Sequence, residues 1–129
     1  MNNLHTYIFI GRSGCGKGTQ VEKLAEHLTQ KGVINAEHAW LRIETGSRFR
    51  EFAQTDNYTA KMLKEAMESG ERLPDNFAIW TWTDSLIDNF TGAEHIFFDG
   101  CPRSLLEAQA LDWVLKFYSI DNPIVVYLE

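Results

Sequence analysis

Residues 9–20, FIGRSGCGKGTQ, place four glycines within eight positions and a lysine directly after the third glycine. Glycine weakens both helices and strands, so this cluster indicates a loop with unusual backbone angles or a close approach by another group. A short apolar segment at 6–10, TYIFI, precedes the loop and predicts a buried strand. A helix is predicted from 16 or 17 to about 30, closed by Gly32, because these residues recur at helical spacing: Val21, Leu24, Ala25 and Leu28.

A glycine-rich loop between a strand and a helix can enclose a chain of phosphates. Backbone N–H groups converge on phosphate oxygens where no Cβ atoms intervene, and the following helix adds free N–H groups and the positive end of its dipole. Lys17 would add a mobile positive charge, and Thr19 a hydroxyl for phosphate or magnesium. Such loops usually have serine or threonine directly after the lysine, whereas Gly18 stands there in this chain. The loop therefore predicts phosphate binding, and the alternative is a glycine-rich turn with a solvated lysine.

Strand-like and helix-like segments alternate along the rest of the chain. Further strands are predicted at 39–44, 95–99 and 123–129. Further helices are predicted at 47–55, 58–69, 76–90 and 105–118. Apolar strands that alternate with helices are typical of a parallel sheet covered on both faces. The sequence thus predicts an α/β fold.

Side-chain positions can be predicted for the last two helices. Asp75, behind Pro74, is the expected N-cap of the helix at 76–90. Trp80 and Trp82 are two apart on that helix and cannot share one face, so we expect one of them to be partly exposed. The helix at 105–118 is expected to turn these residues inward: Leu105, Ala108, Leu111, Val114 and Leu115.

Composition narrows the class of protein. A chain of 129 residues favours one domain. Its 12 basic and 18 acidic residues give a net charge of −6, which argues against a broad surface for nucleic acid or an anionic membrane. No apolar run approaches the roughly 20 residues that a membrane span needs. Cys15 and Cys101 lack zinc-like spacing, and two thiols in a chain of this size suggest a reducing, cytoplasmic compartment.

Four segments in one order resemble the adenylate kinase and wider nucleoside-monophosphate kinase family. GRSGCGKGTQ resembles its phosphate-binding loop, G-x-x-G-x-G-K-G-T-Q. ETGSRFRE at 44–51, MESGERLPD at 67–75 and FDGCPRSLLEAQAL at 98–111 are similar to three later motifs of the family. The resemblance implies a three-layer P-loop NTPase-like fold for residues 1–129 as a single domain, with 45–74 as a helical insert that binds the monophosphate.

The resemblance also implies roles for the matching residues. ATP binding is expected at the loop, from Gly11, Ser13, Gly14, Cys15, Gly16, Lys17, Gly18 and Thr19. Monophosphate binding is expected at Thr45, Gly46, Arg50, Leu73, Gly100, Arg103 and Glu107. The expected catalytic residues are Lys17, Arg103 and Asp99, and Asp99 and Thr19 are expected to hold Mg²⁺ through water. Guanidinium groups match phosphate oxygens in pairs, which suits the two arginines.

The activity implied is reversible transfer of the ATP γ-phosphoryl group to a nucleoside monophosphate, with AMP favoured as acceptor. Three departures from the family pattern bear on this: Ser47 replaces an aspartate, Cys101 a phenylalanine, and Glu107 a glutamine that contacts adenine. The family also continues into a lid with further arginines, so we expect a fragment that stops before the lid and acts as a monomer. Two alternatives stay open, a nucleotide-binding fragment without turnover and a P-loop kinase of another small molecule.

Overall fold

The computed structural model describes residues 3–12 and 14–129 of the chain. Four parallel strands form one sheet: β1 (Thr6–Gly11), β2 (Trp40–Glu44), β3 (His95–Asp99) and β4 (Ile124–Leu128). Their order in the sheet is β2-β3-β1-β4. The helices are α1 (Lys17–Gln30), α2 (Thr45–Ala53), α3 (Tyr58–Glu68), α4 (Asp75–Asn89) and α5 (Leu105–Phe117). The predicted elements are confirmed, and α2 begins two residues earlier than expected.

Side chains of the central strands alternate between two cores. On one face of the sheet, Ile8 of β1 packs with Ile96 and Phe98 of β3 against residues of α4 and α5. On the other face, Phe9 and Phe97 pack against α1. Helices thus cover both faces of the sheet at its central strands β1 and β3, which confirms the predicted α/β P-loop NTPase-like fold and explains the apolar sequences of those two strands.

The tryptophans of α4 divide as the helical spacing predicts. Trp82 is fully buried in the core beside α5, whereas Trp80 is partly exposed and meets the ring of Phe52 edge-on, with 5.0 Å between ring centroids. Arg48 joins α2 to the same helix, because its guanidinium donates to the carboxylates of Asp84 and Asp88. Helix α4 therefore contributes Trp82 to the core and contacts α2 through Trp80, Asp84 and Asp88.

The prediction that Asp75 caps α4 is wrong. Asp75 is the first helical residue, Pro74 occupies the cap position, and no side chain caps the helix. The Asp75 carboxylate instead accepts hydrogen bonds from Arg72 Nη2 at 3.0 Å and from Ser104 Oγ at 3.0 Å. Side-chain donors from two neighbouring segments have taken the oxygens that would otherwise cap the helix.

The inward face of α5 also differs from the prediction in its first turn. Leu111 and Leu115 are buried as expected, but Leu105 is 75% exposed and Glu107 is buried in its place. Leu105 lies two residues, roughly 200° of helical rotation, from Glu107. It therefore points away from the face that meets α4.

No helix in the described part of the chain combines the length and apolarity of a membrane span.

We expect Phe97→Ala to lower the free energy of unfolding by about 3–5 kcal/mol, because it removes a fully buried ring from the centre of the sheet. The Phe97 ring lies 4.9 Å from that of Tyr7 and 5.0 Å from that of Trp40, between centroids. Urea unfolding would measure the change. Trp113→Ala is the matched control, because Trp113 is 79% exposed and its loss should change stability by only about 0.5 kcal/mol or less. Equal losses in the two variants would contradict this assignment of the core.

Candidate functional site

The loop after β1 turns sharply on its glycines before α1 begins. Gly14 and Gly16 have φ angles of 82° and 87°, in the left-handed region that glycine adopts without strain. Gly11 is required for a different reason, since a Cβ there would lie 2.7 Å from Cys15 Sγ and 2.9 Å from Leu128 O. The predicted ATP-binding residue Ser13 lies outside the described residues. The loop therefore leads its backbone directly into the N-terminus of α1, where unpaired N–H groups gather.

Two side-chain cations converge at the end of β3. Gly100 follows Asp99 with a φ of 93°, and a Cβ at this position would lie 3.3 Å from Arg103 Nη2 and 3.7 Å from Lys17 Nζ. Lys17 Nζ also donates to Gly11 O at 3.4 Å, and Arg103 Nε donates to Gly100 O at 2.8 Å. Within the described ranges, neither cation has a carboxylate partner. Two unpaired positive charges beside a glycine loop form a site that suits an anion.

A cleft of about 280 Å³ opens beside these cations. It contains six of the seven residues that the sequence assigns to the monophosphate: Thr45, Gly46, Leu73, Gly100, Arg103 and Glu107. Phe49, Arg72, Pro74, Asp75 and Ala78 complete its lining. The residues come from α2, the α3–α4 connection, α4, the segment after β3 and α5, so the fold brings together segments that are far apart in the sequence.

Arg50, the seventh residue, does not line the cleft. It borders an adjoining groove with Lys61 and Lys64 of α3. Its Nη1 nevertheless lies 3.3 Å from the place a Cβ of Gly46 would occupy, so its guanidinium covers the first turn of α2. Arg50 and Arg103 thus line different cavities, and a role for Arg50 toward a phosphate stays a prediction.

Thr45 brings an unsatisfied hydroxyl to the cleft wall. Its Oγ1 is buried, and among the described residues it finds no nitrogen or oxygen partner. The thiol of Cys101 lies within hydrogen-bonding reach of the Thr45 side chain. A buried hydroxyl without a strong partner costs about 1–3 kcal/mol, so the arrangement favours a ligand that supplies the missing hydrogen bond.

Cys101 itself is inert. Burial, followed by the repulsion of Glu107, raises the pKa of its thiol to about 12. The neutral thiol therefore packs as a small apolar group in the core. Cys15, the other free cysteine, is partly buried against Gly11 in the loop.

Glu107 is held on both carboxylate oxygens by the protein. Its side chain is 2% exposed, Oε1 accepts from Trp82 Nε1 at 3.1 Å, and Oε2 accepts from the backbone N–H of Arg103 at 2.9 Å. Ser104 Oγ accepts from the Glu107 backbone N–H and caps α5. Glu107 thus fixes the backbone of Arg103 against α4, and its predicted contact with a nucleotide base stays a prediction.

Asp99 has a partner that the sequence analysis missed. Its carboxylate is 6% exposed, and Oδ2 accepts from Arg42 Nη2 at 2.6 Å and from Arg42 Nε at 3.0 Å. Arg42, on β2, also approaches Glu22 at 3.3 Å and Glu44 at 3.9 Å. Burial alone would lower the pKa of Arg42, but its hydrogen bond to Asp99 and the attraction of the three carboxylates raise it. A charged residue inside a predicted buried strand was the signal that a partner was needed.

The predicted metal-binding residues are not assembled into a cage. Thr19 is exposed in the first turn of α1, and Asp99 faces Arg42. In the part of the chain that the structure describes, no three His, Cys, Asp or Glu side chains are grouped to hold a metal ion. The roles of Thr19 and Asp99 toward Mg²⁺ stay predictions.

Comparisons with known proteins agree with one another. A family model described as adenylate kinase matches residues 9–129. The chain is 29% identical over 126 residues to an adenylate kinase of Thermosipho africanus, covering 95% of this chain and 52% of the relative. It is 32% identical over 109 residues to that of Thermus thermophilus, covering 84% and 50%, and 34% identical over 112 residues to that of Dehalococcoides mccartyi, covering 87% and 47%. The chain spans about half the length of these curated relatives.

We expect Glu107→Gln to lower the free energy of unfolding by about 1–3 kcal/mol, because the amide has only one acceptor for two buried donors. Urea unfolding measures this loss, and Glu65→Gln on the exposed side of α3 is the control, expected to be neutral. Unchanged stability together with a changed preference among nucleotide bases would instead assign Glu107 to the ligand.

Proposed function

The chain belongs to the adenylate kinase family, and on this premise we propose that it binds ATP and a nucleoside monophosphate, with AMP favoured, and transfers the γ-phosphoryl group reversibly between them. One observation carries the proposal. Lys17 and Arg103, one from the glycine loop and one from the segment after β3, meet at Gly100 between the loop and the cleft. Two polyanionic substrates that bind on either side of this point would bring their reacting phosphates together.

The residues support a direct in-line transfer without a covalent enzyme intermediate. Backbone N–H groups of the loop and of the α1 N-terminus would bind the phosphate chain of ATP, and Lys17 Nζ would neutralise its outer oxygens. Arg103 would hold the acceptor phosphate for attack, since its guanidinium can bind two phosphate oxygens at once. Gly100 allows the close approach of Arg103, because a Cβ there would lie 3.3 Å from Nη2, whereas its 3.7 Å distance to Lys17 Nζ would be an ordinary contact.

The cleft beside Arg103 fits the nucleoside part of the acceptor. Thr45 Oγ1 lacks a nitrogen or oxygen partner among the described residues, and it would hydrogen-bond the base or sugar. Gly46 and Leu73 line the same cleft and would border the base. Arg50, over Gly46, would steer the acceptor phosphate on entry. These contacts favour AMP. The identity of the acceptor base is the most specific part of the proposed function.

Mg²⁺ would accompany ATP and neutralise part of the charge on its phosphates. Thr19 is exposed and free to contribute a hydroxyl near the loop. Asp99, the other predicted residue, already accepts two hydrogen bonds from Arg42 on Oδ2, so a metal would compete with this ion pair for the carboxylate. No step of the proposed reaction is therefore assigned to a metal held by Asp99. Monomeric state and cytoplasmic location stay predictions.

We expect Lys17→Met to lower the rate of ADP formation from ATP and AMP by roughly 100-fold or more, because it removes a preorganised charge from the transferring phosphate. A coupled assay of ADP formation measures this rate, and calorimetry with ATP measures binding. Lys23→Met is the matched control, since Lys23 lies exposed on the same helix. Equal turnover in Lys17→Met and the unaltered chain would remove Lys17 from the mechanism.

The same pair of measurements separates turnover from binding alone. ATP binding without ADP formation would indicate a nucleotide-binding module, which is the first alternative to the proposed activity. A panel of other phosphoryl acceptors then tests a kinase of a different small molecule.

We expect Arg103→Ala to abolish most of the preference for AMP over adenosine, because the guanidinium would bind the phosphate, which adenosine lacks. Calorimetric titration with the two compounds measures this preference, and a loss of about 10- to 100-fold in AMP affinity is expected for one charge-assisted contact. The backbone N–H of Arg103 remains, so Glu107 keeps its hydrogen bond. Lys116→Ala, on α5, is the control. An undiminished preference for AMP would refute the role given to Arg103.

A further inference from the structure

The carboxyl ends of β2 and β3 carry an ion pair at the edge of the phosphate loop. Asp99 ends β3, and Arg42 reaches it from β2 with Nη2 at 2.6 Å and Nε at 3.0 Å from the same oxygen. Asp99 is almost fully buried and Arg42 is half-buried, so water screens this pair poorly. Glu22 and Glu44 also approach Arg42, but both are exposed, and such contacts contribute little.

The guanidinium of Arg42 also touches the loop itself. A Cβ at Gly18 would lie 3.2 Å from Arg42 Nη2, so Arg42 fits here because position 18 has no side chain. Gly18 belongs to the first turn of α1, whose N–H groups face the site of the phosphates. The guanidinium of Arg42 therefore lies between the Asp99 carboxylate and the first turn of α1.

A magnesium ion that recruits Asp99 must compete with this pair. Drawing the carboxylate away would cost Asp99 its two hydrogen bonds and would leave the partly exposed Arg42 with the exposed Glu22 and Glu44 in place of a buried partner. The metal would thus gain little from Asp99. We propose that Arg42 is a positioning residue that retains Asp99, so that ATP binds this chain with nearly the same affinity with and without Mg²⁺. This inference rests on the proposed ATP binding at residues 11–19.

Calorimetry of the chain with ATP in excess chelator and with ATP in excess Mg²⁺ gives two dissociation constants. Their ratio is the constant in chelator divided by the constant in Mg²⁺, so it rises when Mg²⁺ strengthens binding. We expect that ratio to stay within about twofold of unity for the unaltered chain and to rise about fivefold or more in Arg42→Gln, which frees Asp99 for the metal. The double variant Arg42→Gln with Asp99→Asn should return the ratio to its starting value. Glu22→Gln and Glu44→Gln are matched controls that remove the exposed carboxylates, and neither should change the ratio.

A merely structural role for Arg42 would change both affinities together and leave their ratio unaltered, which would overturn the inference. A strong preference for Mg²⁺ in the unaltered chain would do the same. Should Arg42→Gln fail to fold, Asp99→Asn alone decides: the ratio stays unchanged if Arg42 retains Asp99, and it falls if Asp99 already serves the metal. Absence of ATP binding under both conditions would instead refute the proposed function.

Discussion

The hydrogen-bonded pairing of β1 with β3 is the constraint on which the site depends. Because the strands are parallel and in register from Thr6 with Ile96 to Phe9 with Asp99, both end at the same edge of the sheet. The backbone N–H of Gly100 donates to Phe9 O at 3.3 Å and continues the pairing past β3. The glycine loop and the segment from Asp99 to Arg103 thus emerge side by side, at the edge where open α/β sheets bind ligands. A shift of register would separate Lys17 from Arg103.

Periodicity in the sequence was sufficient to predict the strands, the helices and the class of fold. The segments of the central strands β1 and β3 are short and apolar because both of their faces are buried, and glycines or proline mark most boundaries. The edge strand β4 is equally apolar but largely exposed. Where prediction failed, a side chain had found a partner from another segment. Asp75 does not cap α4 because Arg72 and Ser104 donate to it, and Leu105 is exposed because Glu107 takes the inward position. Local patterns carry no information about such partners.

The residues of the candidate site fall into the same two groups, those that local patterns predict and those that depend on partners from distant segments. Residues within short motifs, such as Lys17 in the glycine loop and Gly100 after β3, could be named as site residues from the sequence, and the structure places these two close together. Arg42 could not, because its partner Asp99 lies 57 positions away and only the pairing of β2 with β3 brings them together. Glu107 shows the opposite case, a residue that a motif places at the ligand while the fold uses both of its oxygens internally. The roles of buried polar groups are therefore best assigned by combining the sequence with the structure.

The bare cations at Gly100 have a consequence for how this chain trades stability against activity. Lys17 and Arg103 lie within 4 Å of one point, and the described part of the chain offers neither of them a counter-ion. Like charges held together raise the free energy of the empty protein, and a polyanion relieves this repulsion when it arrives. Selection for heat resistance alone would tend to neutralise one of the two, since stabilising substitutions at such sites commonly cost function.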